Sequence, residues 1–274
     1  RVRGAGVPVY YFPASAAKVL HHMNRYRLLR DRPTEPVPTL DVDRDAAREL
    51  VARATVGPDG FMEPADVSRL LAAYDVPAAL EGRGTTWDEV RAAAEQVGYP
   101  VVLKAEAPTL VHKTESNAVI LNVAGEAALE AAHARLKERL SDVEDLGFLV
   151  QKYHARGLEV IVGGAAAPGA GRMVMFGLGG IHVELFKDVV FKLAPISRAE
   201  AREMIASITS APLLEGFRGR PAVDRDALVE VLIKVSALLA DHPEIAELDL
   251  NPVMLFPEGT APAVVDARIR LNRE

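Results

Sequence analysis

The sequence of 274 residues contains no cysteine, so it offers no disulfide bond, thiol nucleophile or zinc–thiolate site. It also lacks any apolar run near the 20 or so residues that span a bilayer. Its first residues, RVRGAGVPVYYF, include neither an initiator Met nor a signal-type hydrophobic segment, as if the chain began inside a longer protein. We therefore expect a cytoplasmic protein that does not enter a membrane.

Positive charge is not in excess either. The chain has 32 Lys and Arg against 38 Asp and Glu, a formal net charge of -6. Nucleic acids and anionic membranes attract clustered positive charge, so neither is an expected partner. The composition is 49% hydrophobic and 26% charged, and the length suffices for one large or two modest domains with proper cores.

The pattern of apolar residues predicts an α/β domain that begins near residue 56. Helices are predicted at 45–54, 63–74, 86–97, 126–140, 198–208 and 224–240. Strands are predicted at 101–106, 118–123, 148–154, 159–163, 172–176, 189–193, 248–255 and 263–268, after an extended segment at 76–80. Several strands follow one another without an intervening helix, which indicates an antiparallel or mixed sheet in the second half.

A glycine-rich stretch, FGLGGIHVELFKDVVFKLAP, joins two of these strands over residues 176–195. Its glycines allow a sharp turn or a close approach to a ligand. Glu184, Lys187 and Asp188 follow them. Two interpretations stay open for this stretch: a polar site between buried strands, or a tight turn with solvated charges.

Basic residues near the first strands suit a phosphate group. Lys104 ends the apolar strand VVLK, where it could contact a nucleotide phosphate or simply extend to solvent from the sheet edge. His112 and Lys113 follow in a loop rich in hydroxyl groups. Lysine supplies charge there, and histidine can act as acid, base or phosphoryl acceptor; a solvated pair is the alternative.

Gln151 and Glu159 lie on one strand and at the start of the next. This arrangement suits adenosine, with strand backbone at the adenine edge and Glu159 at the ribose hydroxyls; the alternative is that Glu159 faces solvent. Asp249 and Asn251 alternate with leucines, so both face one side of a strand, and Asp266 lies on the expected neighbouring strand. We favour a Mg²⁺ site for these three oxygen donors. The alternative is that they are polar residues on an exposed face of the sheet.

The chain resembles the ATP-grasp domain of NDP-forming (ADP-forming) acyl-CoA synthetases, relatives of succinyl-CoA synthetase. Five stretches carry the resemblance in order across residues 60–271: YPVVLKAEAPTLVHKTESNAV, GFLVQKYHARGLEVIVGG, MVMFGLGGIHVELFKDVVFKLAP, ELDLNPVMLF and VVDARI. It implies an α/β (α+β) ATP-grasp fold over 56–274, with two α/β subdomains gripping a nucleotide. Residues 1–32 resemble the terminal helix of the preceding CoA-ligase domain, and 33–55 form a linker.

The resemblance implies the reaction acid + CoA + ATP to acyl-CoA + ADP + phosphate, through a phosphohistidine, with ATP/ADP and Mg²⁺ as cofactors. It places nucleotide contacts at Lys104, Lys113, Gln151 and Glu159, and metal ligands at Asp249, Asn251 and Asp266. His112 corresponds to a histidine proposed as a second phosphoryl carrier. Glu184, Lys187 and Asp188 would help to dock the phosphates and the phosphohistidine loop.

The principal phosphohistidine and the CoA site are implied in a partner domain or subunit, which would also bring the small acyl substrate. An oligomer is therefore expected. One departure concerns the loop after Lys113, which in the family continues with Gly-Gly-Val and here reads Asn117-Ala118-Val119. Losing both glycines restricts the approach of the backbone to phosphates. This motivates an alternative: a catalytically silent, nucleotide-sensing regulatory module of a synthetase-like protein acetyltransferase.

Overall fold

The computed structural model describes residues 8–31, 35–107, 118–155, 157–167, 169–179, 188–217 and 219–272, with only the backbone of Leu29. Contacts divide the chain into two units, Arg1–Pro36 and Val37–Glu274. The first unit contains helix α1 (Pro13–Arg30), which starts with a proline and carries basic residues in its last turn. Both features suit the ends of a helix. Its side chains Leu20, Met23 and Tyr26 are exposed.

The second unit contains the remaining regular elements. Its helices are α2 (Arg44–Arg53), α3 (Pro64–Ala73), α4 (Trp87–Val97), α5 (Glu126–Arg139), α6 (Arg198–Ser207) and α7 (Arg225–Asp241). Its strands are β1 (Glu81–Gly84), β2 (Val101–Glu106), β3 (Val119–Val123), β4 (Gly147–Lys152), β5 (Leu158–Ala167), β6 (Gly171–Leu178), β7 (Val189–Leu193), β8 (Ile245–Leu255), β9 (Ala263–Val264) and β10 (Ala267–Leu271). A short 3₁₀ helix covers Ala211–Glu215.

A small sheet has the strand order β1-β4-β2-β3, with antiparallel neighbours throughout. Val101, Leu103 and Ala105 of β2 are buried in a core that helices α4 and α5 complete. Because side chains alternate along a strand, Val102 and Lys104 occupy the opposite face. The small sheet therefore has one apolar face and one face free to carry polar groups.

A large sheet has the order β10-β8-β5-β6-β7, with β9 paired to β8, and its strands are also antiparallel. One face of this sheet carries Val162, Phe176 and Leu250, which are buried in the larger core. Leu232 and Leu239 of α7 belong to the same core. Helix α2 adds Ala47 and Val51 to the same core. The two sheets thus each have their own core.

The architecture confirms the α/β prediction with antiparallel sheets. The element bounds differ from prediction mainly at the ends, except in two regions. The single strand predicted at 263–268 is divided into β9 and β10, so Asp266 lies in the break between them and not on a strand. The extended segment expected at 76–80 forms only an isolated bridge, Ala78 with Val264, and the regular strand β1 starts at Glu81. The sequence Glu-Gly-Arg-Gly has two glycines and no β-branched residue, so strand propensity gave no signal there.

Among the described residues, no helix combines the length and the apolar character that crossing a membrane requires.

Candidate functional site

A cleft of about 720 Å³ lies beside the polar face of the small sheet. Lys104, Gln151 and Asp266 all line it. The first two come from β2 and β4, on the face opposite the small core, and the third lies between β9 and β10 of the large sheet. The cleft is therefore built by both sheets, and it brings together three of the residues that the sequence singled out.

Two side chains of the small sheet bond to the same carbonyl group of the large sheet. Lys104 Nζ donates to the Val265 carbonyl oxygen over 3.2 Å, and Gln151 Nε2 donates to that oxygen over 3.0 Å. Val265 directly precedes Asp266 in the chain. The Lys104 ammonium group and the Gln151 amide group therefore lie next to the backbone of Asp266.

Glu81 of β1 is the cross-strand neighbour of Gln151 and completes a hydrogen-bonded group in the cleft. Its Oε2 accepts from Gln151 Nε2 over 3.3 Å, and its Oε1 accepts from Ser68 Oγ and Arg83 Nη1, each over 2.9 Å. The Gln151 side chain is buried, and its Oε1 has no hydrogen-bond partner within the described chain. The sequence prediction missed Glu81 and Arg83 because it missed β1, and it missed Ser68 of α3 because the partner of that hydroxyl, Glu81, lies on the same strand.

Two of the predicted metal ligands lie on one face of β8, and the third, Asp266, lies in the segment between β9 and β10. Of the three, only Asp266 lines the cleft. Asp249 and Asn251 alternate with the buried Leu248 and Leu250, as the sequence indicated. The Asn251 amide donates to the Asp266 carbonyl over 3.0 Å, so the two segments run side by side. Asp266 Oδ1 accepts from the amide of Ala267 over 3.1 Å.

The electrostatics of this acidic pair suit a divalent cation. Burial, followed by the negative charge of Asp266, raises the pKa of Asp249 above its usual range, and Arg268 opposes the shift only in part. Within the described ranges, no group of three or more His, Cys, Asp or Glu could hold a metal ion. The two carboxylates and the exposed Asn251 amide are nevertheless oxygen donors of the kind that Mg²⁺ combines with water. These residues fit that ion.

Glu159 lies at the start of β5 with an exposed side chain and is not among the residues that line the cleft. Its carbonyl oxygen accepts from the amide of Gly179 over 2.8 Å. A Cβ at Gly179 would stand 3.0 Å from the Glu159 carbonyl carbon, so this glycine permits the close approach of β6 to β5.

His112, Lys113, Glu184 and Lys187 lie outside the described residues. Asp188, which lies within the glycine-rich stretch and directly precedes β7, has a structural contact. Its carboxylate accepts from the backbone amides of Thr209 and Ser210, each over 2.8 Å, and from the Ser210 hydroxyl. Those hydrogen bonds outweigh the effect of burial and lower the pKa of Asp188.

Known proteins resemble the chain over nearly its whole length. Residues 52–271 match the ATP-grasp domain family. The chain is 39% identical to acetate–CoA ligase [ADP-forming] I of Archaeoglobus fulgidus, an alignment that covers all of this chain and 40% of that protein. It is 40% identical to acetate–CoA ligase [ADP-forming] II subunit beta of Pyrococcus furiosus, over 76% of this chain and 90% of that subunit.

Solved structures agree with these sequence relatives. Dinucleotide-forming acetyl-coenzyme A synthetase 1 of Ca. Korarchaeum cryptofilum, in complex with coenzyme A, Ca-AMPCP and HgCl⁺, superposes with a TM-score of 0.75 and 34% identity. The match covers 84% of this chain and all of that one. PH1788 from Pyrococcus horikoshii has a TM-score of 0.72 and 37% identity over the same share. The chain therefore belongs to the ATP-grasp family, among the ADP-forming acetate–CoA ligases and their beta subunits.

Proposed function

We propose that the chain is the nucleotide-binding module of an ADP-forming acyl-CoA synthetase, which binds ATP or ADP with Mg²⁺ in the cleft between its two sheets. The observation that carries the proposal is the convergence of Lys104, Gln151 and Asp266 from separate sheets on one cleft. The complete enzyme would interconvert acid, CoA and ATP with acyl-CoA, ADP and phosphate. Related synthetases have been solved with nucleotide analogues, which supports this assignment.

In the cleft and beside it, the residues would have separate tasks; Glu159, Asp249 and Asn251 are not among those that line it. Lys104 provides a positive charge from within β2, and phosphate oxygens would replace its contact with the Val265 carbonyl. Asp249, Asn251 and Asp266 would hold Mg²⁺ through oxygen atoms. The ion, when bound, neutralises charge on the transferred phosphoryl group. Gln151 and Glu159 would contact the nucleoside.

The remaining chemistry would belong to a partner. The chain spans 40% of the A. fulgidus ligase but 90% of a separate P. furiosus beta subunit, so we propose that a CoA-ligase domain or subunit carries the phosphohistidine, CoA and the acyl substrate. Residues 1–32 would end that domain, 33–55 would connect it, and 56–274 would bind nucleotide. The assembly would be an oligomer and would work in the cytoplasm, where ATP and CoA are available.

A solved relative has its phosphohistidine segment pointing towards the nucleotide-binding site. By analogy, His112, Lys113 and Glu184 would meet the partner's segment near the phosphates. His112 would act as a phosphoryl carrier there, while Lys113 would add positive charge and Glu184 would dock the segment.

Nucleotide binding tests the proposal directly. We expect Lys104→Met and Asp266→Asn each to weaken Mg-ATP binding by about 10- to 100-fold, since hydrogen bonds to charged groups contribute about 1.5–3 kcal/mol. Isothermal titration calorimetry measures the effect. Lys137→Met and Asp226→Asn, on exposed faces of α5 and α7, are matched controls and should bind as the wild type does.

Equal binding by all four variants, or no binding by the wild type, would contradict the proposal. Tight binding with no phosphoryl transfer to a supplied partner would favour the sensing module instead. The binding and transfer assays therefore separate a working synthetase module from a silent one.

A further inference from the structure

Four charged side chains share one face of the small sheet. Arg83 of β1 and Lys104 of β2 are the cross-strand neighbours of Leu149 in β4, one on each side. Residues paired across strands project from the same face of a sheet, so both cations lie in one row that lines the cleft. Glu81 and Glu106 lie two residues away on β1 and β2, and therefore on the same face. The row of cations thus has a carboxylate on either side.

Arg83 is hydrogen-bonded to both carboxylates. Its Nη1 donates to Glu81 Oε1 over 2.9 Å, and its Nε donates to Glu106 Oε2 over 3.2 Å. The second bond spans β4 at Gly147, which pairs with Glu106 and has no side chain to fill the space between them. The exposed fraction of the side chain is 34% for Arg83, 19% for Glu81 and 18% for Glu106. Partly buried charges are screened less than exposed ones, so these contacts influence the potential in the cleft.

The cleft itself has an excess of negative charge. Among the described residues that line it, three cations face six carboxylates: Arg83, Lys104 and Arg268 against Asp59, Glu63, Glu81, Glu106, Asp145 and Asp266. A nucleoside diphosphate brings further negative charge, which carboxylates repel. Binding is therefore favoured when the carboxylates nearest to the phosphates are neutralised by the protein itself.

Glu106 is the carboxylate nearest in sequence to the expected phosphate contact. It lies two residues beyond Lys104 on the same face of β2, so its side chain occupies the neighbourhood of the ammonium group. A carboxylate in that place competes with phosphate for the cation and also repels it. The bond from Arg83 Nε supplies Glu106 with a cation from another strand. Arginine suits this task, because its planar fork engages two carboxylates at once.

We propose that Arg83 is a positioning residue for the nucleotide phosphates. It holds Glu81 and Glu106 together on its guanidinium group and neutralises them, so that a polyphosphate can approach Lys104. The role is electrostatic and needs no contact between Arg83 and the nucleotide. This inference rests on the proposed nucleotide-binding function and adds the residue that makes an acidic cleft accept a polyphosphate.

Removal of this cation is the first test. Arg83→Leu should raise the Kd for Mg-ADP about tenfold, since two carboxylates beside the phosphates lose their counter-charge. Isothermal titration calorimetry measures the Kd, and the ratio to the wild type should shrink between about 0.05 M and about 0.5 M salt, which screens repulsion. Arg91→Leu is the matched control. Arg91 likewise lies between two carboxylates, those of Glu95 and Glu126, but none of the three lines the cleft, so the Kd should not change.

A second substitution separates positioning from direct contact. Glu106→Gln removes one negative charge and keeps an oxygen that can accept from Arg83 Nε. Alone, it should lower the Kd for Mg-ADP or leave it unchanged. Combined with Arg83→Leu, it should recover most of the lost affinity, because the carboxylate beside Lys104 is then gone. A residue that contacts the phosphates itself could not be replaced in this way.

Each outcome has a separate meaning. If the wild type binds Mg-ADP and Arg83→Leu binds it equally well, the positioning role is overturned while nucleotide binding stands. If Glu106→Gln does not restore the affinity of Arg83→Leu, Arg83 acts by direct contact and the inference is again wrong. A loss of affinity that salt leaves unchanged, with a lowered melting temperature, would assign Arg83 to stability alone. If the wild type does not bind Mg-ADP, the proposed function fails and this inference with it.

Discussion

His133 is buried in the core of the small sheet, where it has no role in the cleft. Its ring lies 4.5 Å from that of Phe148 and 5.7 Å from that of Trp87, between centroids, and its Nε2 has no partner in the described part of the chain. Burial, and then the charge of Lys137, lowers the pKa of His133. The core therefore holds the neutral imidazole.

This residue should make the protein sensitive to acid. Because the folded-state pKa lies below the unfolded value of about 6.5, the unfolded chain binds the proton first as the pH falls, so stability is lost below about pH 6.5. The slope from one such group is at most about 1.4 kcal/mol per pH unit. We expect His133→Phe to reduce the difference in unfolding free energy between pH 7 and pH 5, measured by urea denaturation.

His21→Phe, on the exposed face of α1, is the control and should keep the pH difference of the wild type. An unchanged pH difference in His133→Phe would show that other groups dominate the acid sensitivity. Trp87, which packs beside this ring at the edge of the small core, is unchanged in both variants.

At the scale of elements, Asp188 connects the glycine-rich stretch to the turn before the 3₁₀ helix at Ala211–Glu215. The resemblance implied a role in docking phosphate for this residue, whereas its carboxylate accepts from the amides of Thr209 and Ser210 and so holds the turn before the 3₁₀ helix. Asp188→Ala should lower the unfolding free energy by about 1–2 kcal/mol, because two backbone amides lose their acceptor. Its affinity for Mg-ATP should not change.

Thermal unfolding and calorimetric titration of the same sample measure both quantities. Glu203→Ala is a useful comparison, since it removes the ion-pair partner of Lys192 in the neighbouring strand β7 while leaving the turn intact. A loss of nucleotide affinity in Asp188→Ala at unchanged stability would reinstate the phosphate interpretation. The two readouts therefore assign this carboxylate to either the turn or the cleft.

Elements were predictable where apolar periodicity was strong. β2 and β7 have the predicted bounds, and the alternation of Asp249 and Asn251 with leucines correctly predicted that both lie on one face of a strand. β1 and its contacts were not predictable, because Glu81 pairs with Gln151 across 70 residues of sequence and its strand has no propensity signal. The carbonyl of Val265 offered no signal at all, since any residue supplies one.

At the scale of the whole molecule, the cleft lies where two sheets with separate cores meet. The large core and the small core share none of their buried residues among those described. The bonds from Lys104 and Gln151 to Val265 connect the sheets directly. A nucleotide that contacts the small sheet, with a metal ion held by the large one, would add a second connection between them.

Mg-ADP should therefore protect both sheets together. Ligand at 100 times its Kd stabilises the folded state by about 2.7 kcal/mol, and hydrogen exchange should slow at Val150 of β4 and at Leu250 of β8. Chelating Mg²⁺ should remove most of the protection at Leu250 but leave part of it at Val150, because only the large sheet carries the metal ligands. Asp266→Asn should reproduce that pattern with Mg²⁺ present. Protection confined to β4 with the metal present would mean that the nucleotide does not connect the sheets.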